Sequence, residues 1–146
     1  MKRTIVLALL VSLALALSLA VASAASASPP VRLYKGVWRS IDPFDGSQQM
    51  MVITPGGGKT ADYRAIAWDY GASACGVDDQ GHILYAALVL GAGNVEPDGL
   101  HMQSDVWCLG HPRWYWGQIA TACSYDPVTD TLVDNVGAVW TRVGGR

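Results

Sequence analysis

Positive charge is scarce in this 146-residue chain, as are phenylalanine and any helical pattern. Ten Lys and Arg stand against twelve Asp and Glu, and two of the ten, Lys2 and Arg3, fall in the first three residues. From residue 28 onward eight basic side chains face twelve acidic ones, a net charge of −4, and no basic cluster forms. Such a surface carries no electrostatic footprint for nucleic acid or an anionic membrane. Beyond residue 30 no stretch sustains an apolar stripe at the 3.6-residue period, and sixteen glycines interrupt the chain too often for helices.

Motifs that carry chemistry are missing too. Gly56-Gly57-Gly58-Lys59-Thr60 ends like a phosphate-binding loop, but Ile53 stands where that pattern needs its first Gly. The segment that follows it, Asp62-Tyr63-Arg64-Ala65-Ile66, reads as a strand and not as the required helix. Asp42-Pro43-Phe44-Asp45-Gly46-Ser47 places two aspartates in a tight turn, whereas a calcium loop of the EF-hand type needs about five oxygen ligands and a closing Glu. His82, His101 and His111 are too dispersed for a zinc motif, and no Gly-x-Ser-x-Gly elbow occurs. The expectation is a protein without a catalytic residue set, metal or cofactor.

What is present begins with the first residues. Met1-Lys2-Arg3 is a basic start, Thr4 to Val21 is almost wholly apolar, and Ala22-Ser23-Ala24 and Ala25-Ser26-Ala27 are stacked small-x-small cleavage patterns. The apolar run falls slightly short of the ~20 residues of a spanning helix, which favours a cleaved signal over an anchor. The expected organisation is a signal peptide over 1–27, a linker and lead-in over 28–35, and one domain over 36–146, exported to a secreted or periplasmic location with no membrane contact after cleavage.

Past Ser28-Pro29-Pro30, short apolar or β-branched runs alternate with Gly, Pro, Asp and Asn. Strands are expected near 36–42, 48–54, 62–70, 82–90, 100–108, 114–125 and 132–143, with a possible eighth at 31–34. Asp45-Gly46 and Gly56-Gly57-Gly58 supply turns; 91–99, 111–113 and 126–130 supply the later loops. Short loops join strands that neighbour in space. The fold class is therefore all-β, an antiparallel up-and-down meander of seven to eight strands. Closure into a barrel removes its two exposed edges, and a sandwich is the alternative. Met50-Met51-Val52-Ile53 and 83–90 are apolar on both faces, which suggests cover by loops or by a second subunit.

Three cysteines, Cys75, Cys108 and Cys123, leave one unpaired if a disulfide forms in an oxidising compartment. The meander brings Cys75 and Cys108 to one end of the sheet and puts Cys123 at the other, level with Leu100, so Cys75–Cys108 is the expected bridge.

Six Trp and six Tyr stand against a single Phe. Each joins a large apolar body to a polar tip, which suits a cavity that holds a ligand by stacking and one hydrogen bond. Strands favour aromatics for their own packing as well. Trp38, Tyr63, Trp68, Trp107 and Trp116 are the cavity candidates.

Gly36-Val37-Trp38 at the start of the first strand is similar to the Gly-x-Trp signature of calycins, the superfamily of lipocalins and avidins. Trp140-Thr141-Arg142 near the end resembles the segment whose Arg packs over that Trp in many lipocalins, and Gly46-Ser47, Ile53-Thr54 and Tyr63 are similar to early avidin strands. The later avidin strands, with their biotin-contacting Trp and Asp pattern, do not align here. The resemblance implies a barrel with its ligand inside, against residues matching Trp38 and Tyr63. Two functions follow as expectations: a barrel that binds a small apolar or aromatic molecule, or a module of the protease-inhibitor or adhesion type that acts through its outer surface, as a monomer or an oligomer.

The leader gives a direct test. Intact mass of secreted protein is expected to correspond to a chain starting at Ala25 or Ser28; retention of Met1 would refute the cleaved signal.

Overall fold

The computed structural model describes residues 33–58 and 60–145. The expected signal peptide at 1–27, most of the expected linker and the first half of the 31–34 lead-in lie outside the described residues. Leu33 and Tyr34 form a bend and not a strand.

Eight antiparallel strands follow one another around a closed barrel in chain order. They are β1 (Gly36–Ile41), β2 (Gln48–Gly58), β3 (Ala61–Asp69), β4 (Ala86–Glu96), β5 (Gly99–Leu109), β6 (Tyr115–Asp126), β7 (Thr131–Asp134) and β8 (Val139–Gly144). The two-residue period is plain in β1, where Gly36, Trp38 and Ser40 are buried and Val37, Arg39 and Ile41 are not. Opposite them in β2 the same period turns Met51 and Ile53 inward. Pairing of β1 with β8, Trp38 opposite Arg142, closes the ring. Every strand thereby has a neighbour on both sides, although β7 covers β6 only over Cys123–Asp126.

Three strands differ from their expected bounds, each for a local reason. β2 runs on to Gly58 and not 54, through the glycines expected to turn: a Cβ at Gly56 would meet the Ala61 carbonyl, and the pairing with β3 resumes at Gly58 opposite Ala61 after a register shift. The run at 132–143 is two strands, because Asp134 folds the chain back on itself. Its Oδ1 accepts the Val136 and Ala138 amides at 3.1 and 2.8 Å, and Gly137 adopts φ +91°. The eighth strand arises at this turn and not at 31–34. The fourth strand runs from Ala86 to Glu96 and not from 82 to 90. Gly91 and Gly93 belong to it instead of to a loop: a Cβ at Gly91 would meet Ser104 Oγ, and one at Gly93 would meet the His101 carbonyl. These glycines permit close approach of β4 and β5 and do not mark a turn. Cys108 therefore pairs with Ala87. The expected level of Cys123 holds, since it lies opposite Leu100.

One end of the barrel is filled. Trp38, Tyr63, Ile53, Leu100, Leu132 and Cys123 are almost completely buried there, packed with Tyr34 and Trp140. Tyr34 meets Tyr63 edge-on with ring centroids 5.6 Å apart. Trp38 Nε1 donates to the Tyr34 carbonyl at 3.0 Å, which ties the entering chain across the base.

Arg142 seals this end. Its guanidinium carbon sits 4.0 Å from the centroid of Trp38, and the side chain is only 7% exposed. Nε donates to Asp130 Oδ1 at 3.0 Å, Nη2 to the Leu33 carbonyl at 2.6 Å, and Nη1 to the Lys35 carbonyl. Asp130 holds a left-handed backbone, φ +54°, at the β6–β7 turn, a conformation that Asp tolerates better than most residues. A planar fork with several fixed acceptors and a stacked indole is a task for Arg that Lys cannot reproduce.

Both Arg142→Lys and Arg142→Met are accordingly expected to destabilise the barrel, Arg142→Met by ~3–5 kcal/mol because Asp130 loses its buried cationic partner. Urea unfolding measures this, and a loss below about 1 kcal/mol for Arg142→Met would show that the clamp contributes little.

Candidate functional site

The inward residues shrink along the barrel axis. Above the filled base the walls carry Ala65, Ala67, Ala87, Val89, Gly91 and Ser104, and the space these small residues leave is a cavity of about 470 Å³. A volume of this size accepts a small organic molecule. Its lining reaches Asp42 and Pro43 in the β1–β2 turn, Ala72 and Ala74 in the β3–β4 loop, and Asn135 and Val136 in the β7–β8 turn. The cavity thus meets solvent at the end opposite the Arg142 clamp.

The mouth is shaped by the long β3–β4 connection, which has structure of its own. Ser73–Cys75 is a 3₁₀ turn, Ala72 donates to the Tyr85 carbonyl at 2.9 Å, and Val77 bridges Ile83. A disulfide between Cys75 and Cys108, Cα atoms 5.5 Å apart, ties this loop to the end of β5. Closing a 33-residue span stabilises by ~3–4 kcal/mol in the chain-entropy model. Asp45 links the same loop to the β1–β2 turn by accepting the Ser73 amide at 2.9 Å. Partial burial raises the Asp45 carboxyl, but the hydrogen bonds from Ser73 and Ser47 outweigh it and bring the pKa down to about 2.

The five aromatic candidates separate into three places. Trp116 lines the mouth and is 51% exposed. It is there because β6 carries a bulge: Val106 faces Gly117 and Trp107 faces Tyr115, so Trp116 has no partner. Trp68 also borders the cavity, although it shares its cross-strand row with Met50, Leu88 and Trp107. Trp38 and Tyr63 lie in the packed base and are not lining residues. Trp107 sits on the outer face, edge-on to Tyr115 with centroids 5.8 Å apart. The row Met50, Trp68, Leu88, Trp107 and Tyr115 is the outer apolar face that the two-sided strands led one to expect.

Trp140 is a wall residue that sequence reasoning did not select. It is 7% exposed and donates from Nε1 to Asp134 Oδ2 at 3.0 Å. Its position two residues before the inward Arg142 was the available signal. The polar lining was not anticipated either. Gln49 Nε2 donates to Asp42 Oδ2 at 2.9 Å and to Asp69 Oδ2 at 3.3 Å, while its Oε1 is buried and accepts no hydrogen bond among the described residues. At the base end, outside the barrel, Glu96, Asp98 and His101 offer possible metal-ligand atoms within 4.8 Å of one another. They are exposed or half-buried, and His101 Nε2 is already 2.8 Å from Asp98 Oδ1.

Cys123 lies at the cavity floor as a buried thiol. Burial, and after it the negative charge of Asp134, pushes its pKa up from 9.0 to about 12. The unfolded chain therefore releases this proton at lower pH than the folded one, so folding stability is expected to fall as pH rises from about 9 toward 12. Burial raises Tyr34 and Tyr63 as well, and these act in the same direction above their ordinary value of 10.0. Chemical denaturation across this range should show a shallower decline for Cys123→Ala than for the wild type. A thiol reagent at pH 8 should label Cys123 only after unfolding; rapid labelling of the native protein would contradict its burial. No protein-family model matches the chain, and no curated protein or solved structure matches it either.

Proposed function

We propose that this protein is an exported, non-enzymatic barrel that binds a small, mainly apolar molecule in its interior. The observation that carries the reading is the cavity of about 470 Å³, walled by Met51, Met102, Val106 and Ile119 and bordered by Trp116 and Trp140. A filled interior would favour action through the outer surface instead; a hollow of more than ~300 Å³ favours the carrier. The Cys75–Cys108 disulfide and the basic, apolar leader support an oxidising destination. The stack of Arg142 on Trp38, joining the first and last strands, supports the calycin-like reading of the Gly36-Val37-Trp38 and Trp140-Thr141-Arg142 segments. In this reading Trp38 and Tyr63 build the floor that keeps the cavity open, while Trp116 and Trp140 contact the ligand.

The neutral apolar dye N-phenyl-1-naphthylamine is expected to bind saturably, one molecule per barrel, with enhanced dye emission and quenched Trp emission. Ala87→Trp, which fills the wall, should abolish uptake. Trp116→Ala should weaken it by roughly three- to tenfold through loss of one aromatic face. Absence of saturable uptake by the wild type would turn the reading toward the outer surface.

A further inference from the structure

The cavity is apolar in its walls and negative at its mouth. Three aspartates, Asp42, Asp69 and Asp134, are among the residues that line it, and among the described residues no Lys, Arg or His does. Asp42 and Asp69 are held close enough that one nitrogen, Gln49 Nε2, donates to both. Two carboxylates bridged by a neutral amide repel each other, and a cation between them removes that repulsion. Beside them, Gln49 Oε1 is a buried acceptor with nothing to accept among the described residues. It has almost no accessible surface, so a ligand in the cavity meets the carboxylates and not this oxygen.

Asp134 extends the same field down one wall. Its oxygens accept the Val136 and Ala138 amides and the Trp140 indole, so the group is fixed in place. The raised pKa of Cys123 below it reflects that negative charge as well as burial. At the rim, Trp116 offers an exposed indole face, the side-chain type that attracts organic cations most strongly.

Resting on the reading of the cavity as a ligand site, we propose that its ligand is a small amphiphilic amine: an apolar body in the Ala- and Met-lined interior, with a protonated ammonium at the mouth. The ammonium donates to Asp42 and Asp69. It carries three N–H donors, enough for both carboxylates. An anionic head of the same size meets only carboxylates there and is rejected.

The test compares three probes that share one eight-carbon body: octylammonium, 1-octanol and octanoate. Titration at pH 7 into the full mature protein, followed by calorimetry and Trp emission, is expected to rank them in that order. The amine should bind at least about tenfold tighter than the alcohol. The preference should shrink as NaCl rises from about 0.05 M to about 0.5 M, because the rim is partly exposed to solvent. In the Asp42→Asn/Asp69→Asn double variant, which keeps an oxygen at each position for the turn hydrogen bonds, the amine-to-alcohol ratio should fall toward one. Near-UV circular dichroism checks that this variant is folded, and if it is not, the wild-type ranking decides alone. Equal affinities for amine and alcohol, or tightest binding of octanoate, would overturn the amine proposal and leave the apolar cavity standing. Failure of all three to bind would overturn both.

Discussion

Everything in this barrel hangs on the contact between Arg142 and Trp38. A meander of strands becomes a barrel only if its last strand meets its first, and this contact lies where β8 joins β1. The guanidinium covers the indole, takes its counter-charge from Asp130 and donates to the carbonyls of Leu33 and Lys35. One side chain thus fastens the entering chain, the closing strand and the β6–β7 turn. With the base closed in this way, the large side chains Trp38, Tyr63, Leu100 and Leu132 fill it without access to water.

A sealed base lets the other end remain hollow. The size of the inward residues falls from Trp and Tyr at the base to Ala, Gly and Ser near the mouth, and a ring of constant strand number then encloses space. A hollow end has fewer packing contacts to hold its loops. The disulfide and the Asp45–Ser73 hydrogen bond fix the β3–β4 loop covalently and electrostatically instead. Polar groups can collect at this rim because solvent reaches it, whereas at the base an unpaired charge would be prohibitive. The barrel is thus divided into a packed end, where the Arg142 guanidinium is buried, and an acidic end that meets solvent.

Much of the wall was legible from the residues. The two-residue alternation from Gly36 to Ile41, the turn at Asp45-Gly46 and the level of Cys123 against Leu100 depend on local chemistry and on counting along hairpins. That counting also led to Cys75–Cys108, with Cys108 opposite Ala87. The errors fell where a residue has two uses. Gly91 and Gly93 looked like a loop because Gly usually marks one; here they relieve a clash between neighbouring strands, which can be seen only once β5 is in place. The Asp134 turn was hidden in an apolar run because Val136 and Ala138 flank it, and its hydrogen bonds form only after the chain has folded back.

By itself the sequence determined an all-β meander, its first turn at Asp45-Gly46, its acidic balance and the cysteine pair, since each rests on periodicity, backbone preference or position along the chain. Tertiary structure alone decided which aromatics face what. Side-chain direction alternates with every residue, so a single bulge at Trp116 re-aims one ring into the mouth while Trp107 stays outside. It also decided that Asp42 and Asp69, 27 residues apart in the chain, share the amide of Gln49 at the opening of an apolar cavity. Separation along the chain does not limit separation in space once the register is set, and the β1–β2 and β2–β3 pairings bring these acceptors to one rim.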